Sequence, residues 1–256
     1  MSSGKRALYL QITDTLRQRV VTGVYEPGEV LPPIPDLAKE FGVSAMPVRQ
    51  ALDRLKAQGV LVSRQGLGNF VRQLPPLRHH GTDRYRRRVW LHAGQAILEG
   101  EAGAQKYRVE QEVRELAEVD ATEYVAERLQ IEPGAKVWVR RRRTLIDEMP
   151  NQLADSYYPL AIADAVPQLR EENTGPGGGF ARLHEAGYEP THGIEEIVVR
   201  LEPTEEETTL LDLPDEMPVI DWTRTVYDQK DRPIEVLLGV RHPLLVKFAY
   251  SFNFED

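Results

Sequence analysis

Within the first 71 residues, three apolar patterns of helical period are each closed by a glycine, and two short β-type runs follow them. Tyr9, Ile12, Leu16 and Val20 recur at steps of three and four, so they share one face of a first helix that Gly23 ends. A second helix is read over Asp36 to Phe41, with Leu37, Ala38 and Phe41 turned inward and Gly42 closing it. Ser44 is placed to cap a third, which buries Val48, Ala51, Leu52 and Leu55 and stops at Gly59. Val60 and Val62 then suit a strand, Arg64 to Asn69 a glycine-rich hairpin tip, and Phe70-Val71 the return strand. Three helices and a glycine-tipped hairpin in so short a span predict a winged helix-turn-helix.

Charge supports a nucleic-acid partner for this segment. The net charge of −8 hides a strong asymmetry: residues 1–88 hold 15 Lys/Arg against 7 Asp/Glu, and residues 89–256 hold 17 against 33. A basic third joined to an acidic remainder is expected of one module that meets nucleic acid and a second with another task. The third helix would enter the major groove with its first turns at the base edges, and the hairpin would follow the backbone or a minor groove. Candidate contacts are Ser44, Met46, Arg49 and Gln50 on the helix, with Arg64, Gly66 and Gly68 on the wing. Arg49 is opposite in helical phase to Leu52, and its planar fork suits a guanine edge or a phosphate. Lys56, at the far end, meets phosphate or solvent.

The chain has no cysteine, which excludes disulfides, thiol catalysis and cysteine-held zinc and suits a reducing compartment. It has neither a long apolar run nor a signal-peptide core, so a cytoplasmic protein without a membrane partner is expected. The six histidines are scattered, and no HExxH, nucleophile elbow or phosphate loop occurs. An enzyme is not expected, nor a metal or cofactor.

The domains are read as 1–73, a basic Pro-containing linker at 74–88, and 89–256. In the last, Tyr107 to Val119 suits a strand, Thr122 to Leu129 a helix, Pro133-Gly134 a turn and Val137 to Ile146 another strand. An internal echo follows. A shift of 82 residues places Val119 on Leu201, Thr122 on Thr204, Leu129 on Leu211, Val137 on Val219 and Arg142 on Arg224, and one further residue brings Pro150 onto Pro233. A duplicated half-domain forming one antiparallel sheet, with helices on a face, is predicted, so the fold class is α+β. Asn173 to Gly179 is read as a loop that cannot pack, either a connector or a lid over a site. Arg140 to Arg143 on a strand send two arginines to each side. One pair enters a pocket and meets an anion, or both pair with the abundant glutamates.

The stretches Gly23–Gly28, Phe41-Gly42-Val43-Ser44, Val48–Leu52 and Arg64–Val71 together resemble the GntR family of bacterial regulators over residues 7–71. Asp147–Pro150, Arg224–Asp228 and Pro233-Ile234-Glu235 resemble the UTRA effector domain of its HutC-like subfamily, whose fold is similar to chorismate lyase. The resemblance implies a homodimer on palindromic operator DNA, usually repressing and released by a small-molecule effector. It also implies effector contacts at Arg140, Arg142, Phe180, Arg224 and Glu235. The chain departs from the family at Pro33, Ile34 and Pro35, and at Ala45 and Pro47, where contact residues are expected. Gly178-Gly179-Phe180 replaces a hydroxyl-bearing effector motif, which argues against a phosphosugar bound in the usual way and leaves a more apolar ligand open. A DNA-binding dimer whose second domain has lost its ligand is the alternative.

Overall fold

The computed structural model describes residues 7–64, 66–72, 77–92, 96–213 and 217–252. The described residues of 1–75, with Leu213 and Met217, form one compact unit, and those of 76–212 and 218–256 form a second.

The first unit holds α1 (Leu8–Val21), α2 (Ile34–Phe41), α3 (Ala45–Ala57) and a hairpin of β1 (Leu61–Arg64) and β2 (Gly68–Val71). Its core is made of the residues that the periodicity picks out, with Ile12, Leu16, Leu37, Val48, Leu52 and Leu55 all buried. Gly23, Gly42 and Gly59 follow the three helices with φ of 76°, 66° and 64°, the left-handed conformation that ends a helix at least cost to glycine. α2 starts two residues before the expected Asp36. Pro33 is its cap and Pro35 falls in the first turn, where a missing N–H costs nothing. Ser44 does precede α3, but its side chain makes no capping hydrogen bond. The wing pairs Leu61 with Val71 and Arg64 with Gly68. Gln65, at its tip, lies outside the described residues.

The expected linker is mostly structure. Leu74 to Pro76 lie outside the described residues, but β3 (Leu77–His79) pairs in parallel with β10 (Val246–Phe248). A 3-10 turn follows at Gly81–Tyr85, a π turn at Arg88–His92 and α4 at Ile97–Ala104. Leu77, His79 and Arg84 are buried. Their run of charge reads as solvated chain because nothing local reveals that Glu101 of α4 receives Arg84.

The remaining elements are β4 (Val109–Asp120), α5 (Glu123–Leu129), β5 (Lys136–Ile146), β6 (Met149–Pro159), α6 (Leu160–Ala165), α7 (Gly178–Glu185), β7 (His192–Arg200), α8 (Glu205–Leu210), β8 (Val219–Tyr227) and β9 (Pro233–Arg241). Six strands form one antiparallel sheet in the order β4-β5-β6-β9-β8-β7. The internal echo is a structural duplication: β4-α5-β5-β6 recurs as β7-α8-β8-β9, and the copies join along β6 and β9. The register repeats as well. Arg142 stands between Val113 and Ala154, and Arg224 between Glu195 and Leu237, at the same offsets. α5 covers one face through Val125, Leu129, Val137, Val139 and Val236. The other carries a second core that includes Trp90, Trp138, Tyr158, Phe180 and Leu183.

The glycine-rich segment is not all loop. Gly178 and Gly179 open α7, and Gly177 caps it with φ of 79°. A Cβ at Gly177 would stand 2.4 Å from the Trp90 carbonyl oxygen, so only glycine lets the chain pass there.

Candidate nucleic-acid interface and ligand cavity

On α3 the burial follows the phase of the helix. Val48, Ala51, Leu52 and Leu55 are inside, while Ser44, Met46, Arg49 and Gln50 are exposed, with Met46 at 61%. Proline at position 47 is only half-buried and lies in the first turn, so it leaves this face intact. The wing continues it. Arg64, Gly66 and Gly68 are exposed, and the Arg64 guanidinium lies over the Phe70 ring at 4.9 Å, which limits its rotamers. Gly66 and Gly68 have φ of 76° and 111° and present backbone without side chain. Lys56 forms an ion pair with Asp53 at 2.6 Å. The structure thus brings all seven sequence-predicted contact residues to the exposed surface of the three-helix unit. No role is tested by that placement, but apolar, amide and guanidinium groups there are the chemistry that reads base edges and phosphates.

The four arginines of β5 divide by strand alternation. Arg141 and Arg143 take the α5 face and are neutralised there, Arg141 by Glu115 and Asp155, Arg143 by Glu112. Arg140 and Arg142 take the other face and line an open cavity of about 700 Å³. Phe180, Arg224 and Glu235 line the same cavity, so the five effector residues inferred from the sequence come together. Their states differ. Arg140 donates to the carbonyls of Leu169, Glu171 and Glu172, the last at 3.1 Å, and so fastens the chain leading to the glycine-rich wall. Burial and the neighbouring Arg142 charge lower its pKa, with Tyr158 and Glu235 working against them. Arg142 makes one hydrogen bond, to Ser156 Oγ at 2.5 Å, and its Nε has no partner among the described residues.

Arg224 and Glu235 form a buried pair at 2.7 Å, and the Tyr158 hydroxyl donates to the other carboxylate oxygen at 2.8 Å. Burial alone would raise the Glu235 carboxyl. Arg224, the Tyr158 hydroxyl and Arg142 outweigh it and hold the group below the usual carboxylate range. Arg224 also lies over the Phe180 ring at 4.8 Å. Phe180 is therefore both core and cavity wall, with Trp90 edge-on at 5.9 Å.

The sequence does not single out Arg84, Gln152 or Ala154 for the cavity, which they line, and it leaves Tyr158 and Trp222 among aromatics with no fixed role. Counting pairs outward from the two-residue turn at Asp147-Glu148 (φ of 48° and 67°) finds Ala154 opposite Arg142 and Tyr158 opposite Trp138. A bulge at Thr144 shifts the count by one and hides Gln152 from it. No local signal finds Arg84.

Residues 8–71 match the family model described as bacterial regulatory proteins, gntR family, and residues 104–240 match the UTRA domain. The chain is 30% identical over 256 residues to the uncharacterized HTH-type transcriptional regulator SCO4628 of Streptomyces coelicolor, across 98% of this chain and 94% of that one. It is 29% identical to the mannosyl-D-glycerate transport/metabolism system repressor MngR of Escherichia coli, across 85% of this chain and 84% of that one. Among solved structures, PhnF from Mycobacterium smegmatis matches 95% of this chain and all of its own with a TM-score of 0.60 at 23% identity, a likeness of fold.

Proposed function

Because the chain belongs to the gntR family of bacterial regulatory proteins and carries a UTRA domain, we propose that it is a homodimeric repressor of transcription, released from operator DNA by a small molecule that enters the cavity beside Arg142. The observation that carries this reading is the cavity itself. Its buried wall presents a guanidinium with unused donors beside a complete Arg224–Glu235–Tyr158 cluster and an aromatic ring, a constellation suited to orienting a polar ligand. A relative that is itself named a repressor supports the direction of regulation.

On this reading the operator is read by Met46, Arg49, Gln50 and the wing. Pro33, Pro35, Ala45 and Pro47 supply no charged or amide side chain at the surface where the family has contacts, and each missing contact is worth roughly 1–3 kcal/mol. Two copies related by a twofold axis would meet half-sites about one helical turn apart. Mobility-shift titration against the DNA upstream of the protein's own gene should show tight, salt-dependent binding that a metabolite releases. Binding no tighter than to random DNA at low salt would sink the specific-repressor reading. A second domain that only dimerises would give no thermal stabilisation with any metabolite, whereas a sensor is stabilised by mass action. The unused donors in the cavity favour the sensor.

A further inference from the structure

The cavity has a second end, where buried polar groups lack partners. Thr144, Gln152 and Arg241 stand in one cross-strand row of β5, β6 and β9. Thr144 Oγ1, Gln152 Oε1 and the three guanidinium nitrogens of Arg241 are buried with no hydrogen-bond partner among the described residues. Arg84, from the 3-10 turn at Gly81–Tyr85, lines the cavity with Gln152 and Trp222, and its Nε and Nη1 are likewise unpartnered. Its Nη2 stands 3.2 Å from Glu101 Oε2 in an ion pair without hydrogen-bond geometry. Both guanidiniums lie against Trp222, at 5.7 Å for Arg84 and 4.2 Å for Arg241.

The internal duplication shows what this end lacks. Under the same offset, Arg142 corresponds to Arg224, Gln152 to Glu235 and Tyr158 to Arg241. In the second copy a carboxylate receives an arginine and a phenol. In the first copy a neutral amide takes the place of the carboxylate, and an arginine takes the place of the phenol. Buried donors are normally satisfied, and charged ones cost most when they are not. The first copy holds the donors for an anion and no anion of its own.

Building on the sensor reading above, we propose that the effector carries an anionic group, a carboxylate or a phosphate, which sits at Gln152 between Arg84 and Arg241 and draws Arg84 away from Glu101. Glu101 also accepts the His80 backbone N–H at 2.5 Å. The anion therefore acts on the segment Leu77–Tyr85, which follows the DNA-binding unit in the chain. Arg84 is then a binding residue and a relay in one side chain.

The test uses the full chain at constant ionic strength, titrated with inorganic phosphate in one arm and succinate in the other. Melting temperature and tryptophan emission are read together. All three tryptophans, Trp90, Trp138 and Trp222, lie in the sensor unit, so emission ignores anions held by the DNA-binding unit. The wild type should respond in at least one arm, which also separates phosphate from carboxylate. Arg84→Gln should weaken that response about tenfold. Gln152→Glu supplies the carboxylate from the chain, so it should melt higher than wild type without added anion and respond to neither. If Gln152→Glu does not fold, Arg84→Gln decides. A wild-type-like response in the variants that fold overturns the proposal. If Arg142→Gln alone is blind, the anion belongs at that end and the sensor reading stands. Silence of the wild type in both arms also overturns the proposal, while the metabolite screen judges the sensor reading separately.

Discussion

His79 is buried with its ring edge-on to Trp222 at 5.9 Å and tilted against Phe248 at 5.1 Å. Glu195 Oε1 is 3.8 Å from its Nε2, beyond hydrogen-bond reach, and the Glu195 carboxylate already accepts from the Tyr85 hydroxyl. Burial, with Arg84, Arg241 and Arg224 nearby, holds the imidazole neutral far below its ordinary value of 6.5. The unfolded chain protonates at that ordinary value and the folded chain does not. The unfolded state therefore binds more protons in acid, and stability falls with pH. The contribution is whole above about pH 6.5 and is lost below it at about 1.4 kcal/mol per pH unit. Melting curves between pH 8 and 5 should show this slope, and His79→Phe, which keeps the ring contacts, should remove one proton's worth of it. Equal slopes in the two proteins would refute the assignment. Arg49 offers the opposite case of an exposed side chain. Arg49→Ala should leave the melting temperature unchanged and cost roughly 1–3 kcal/mol of operator binding in a mobility-shift titration.

At the scale of elements, the duplication makes a paired prediction. Thr122 caps α5 by accepting from the Val125 N–H, and Thr204 caps α8 by accepting from the Glu207 N–H while the Glu207 carboxylate returns to the Thr204 N–H. Thr→Ala at either position should cost about 1 kcal/mol in a denaturant melt, with the loss at Thr204 enlarged by the broken box. The caps were legible in the sequence because they sit at fixed places in an echo of 82 residues. So were α1, α3 and the wing, since an apolar period and a closing glycine are both local signals. Non-local facts were not legible. The partner of β3 lies near the other end of the chain, at Val246–Phe248, and the partner of Arg84 lies on α4. A stretch of arginine, histidine and proline looks solvated until its partners are known. The cavity shows the same divide. Arg140, Arg142, Phe180, Arg224 and Glu235 were named through family resemblance and strand alternation, while Gln152 was hidden by a bulge and Arg84 by apparent disorder of charge.

For the whole molecule, the placement of function in two units separates reading from sensing. The surface of Met46, Arg49 and Gln50 belongs to the three-helix unit, and Arg142 belongs to the sheet unit. A substitution confined to the cavity should therefore change release without changing recognition. Arg142→Gln keeps a side chain of similar length that can still donate to Ser156, so the fold should persist. What disappears is a buried cation with an unused donor. A charged hydrogen bond lost from a buried ligand site is worth about 1.5–3 kcal/mol, or roughly ten- to a hundredfold in affinity. The variant should bind operator as the wild type does, with the same salt dependence, since the phosphate contacts lie in the other unit. It should need roughly ten- to a hundredfold more effector for release, and in cells it should repress under inducing conditions. Mobility shifts with and without effector measure both quantities in one titration. Loss of operator affinity together with effector response would show that the cavity and the reading surface are not energetically separate, and that Arg142 supports the DNA-binding state itself.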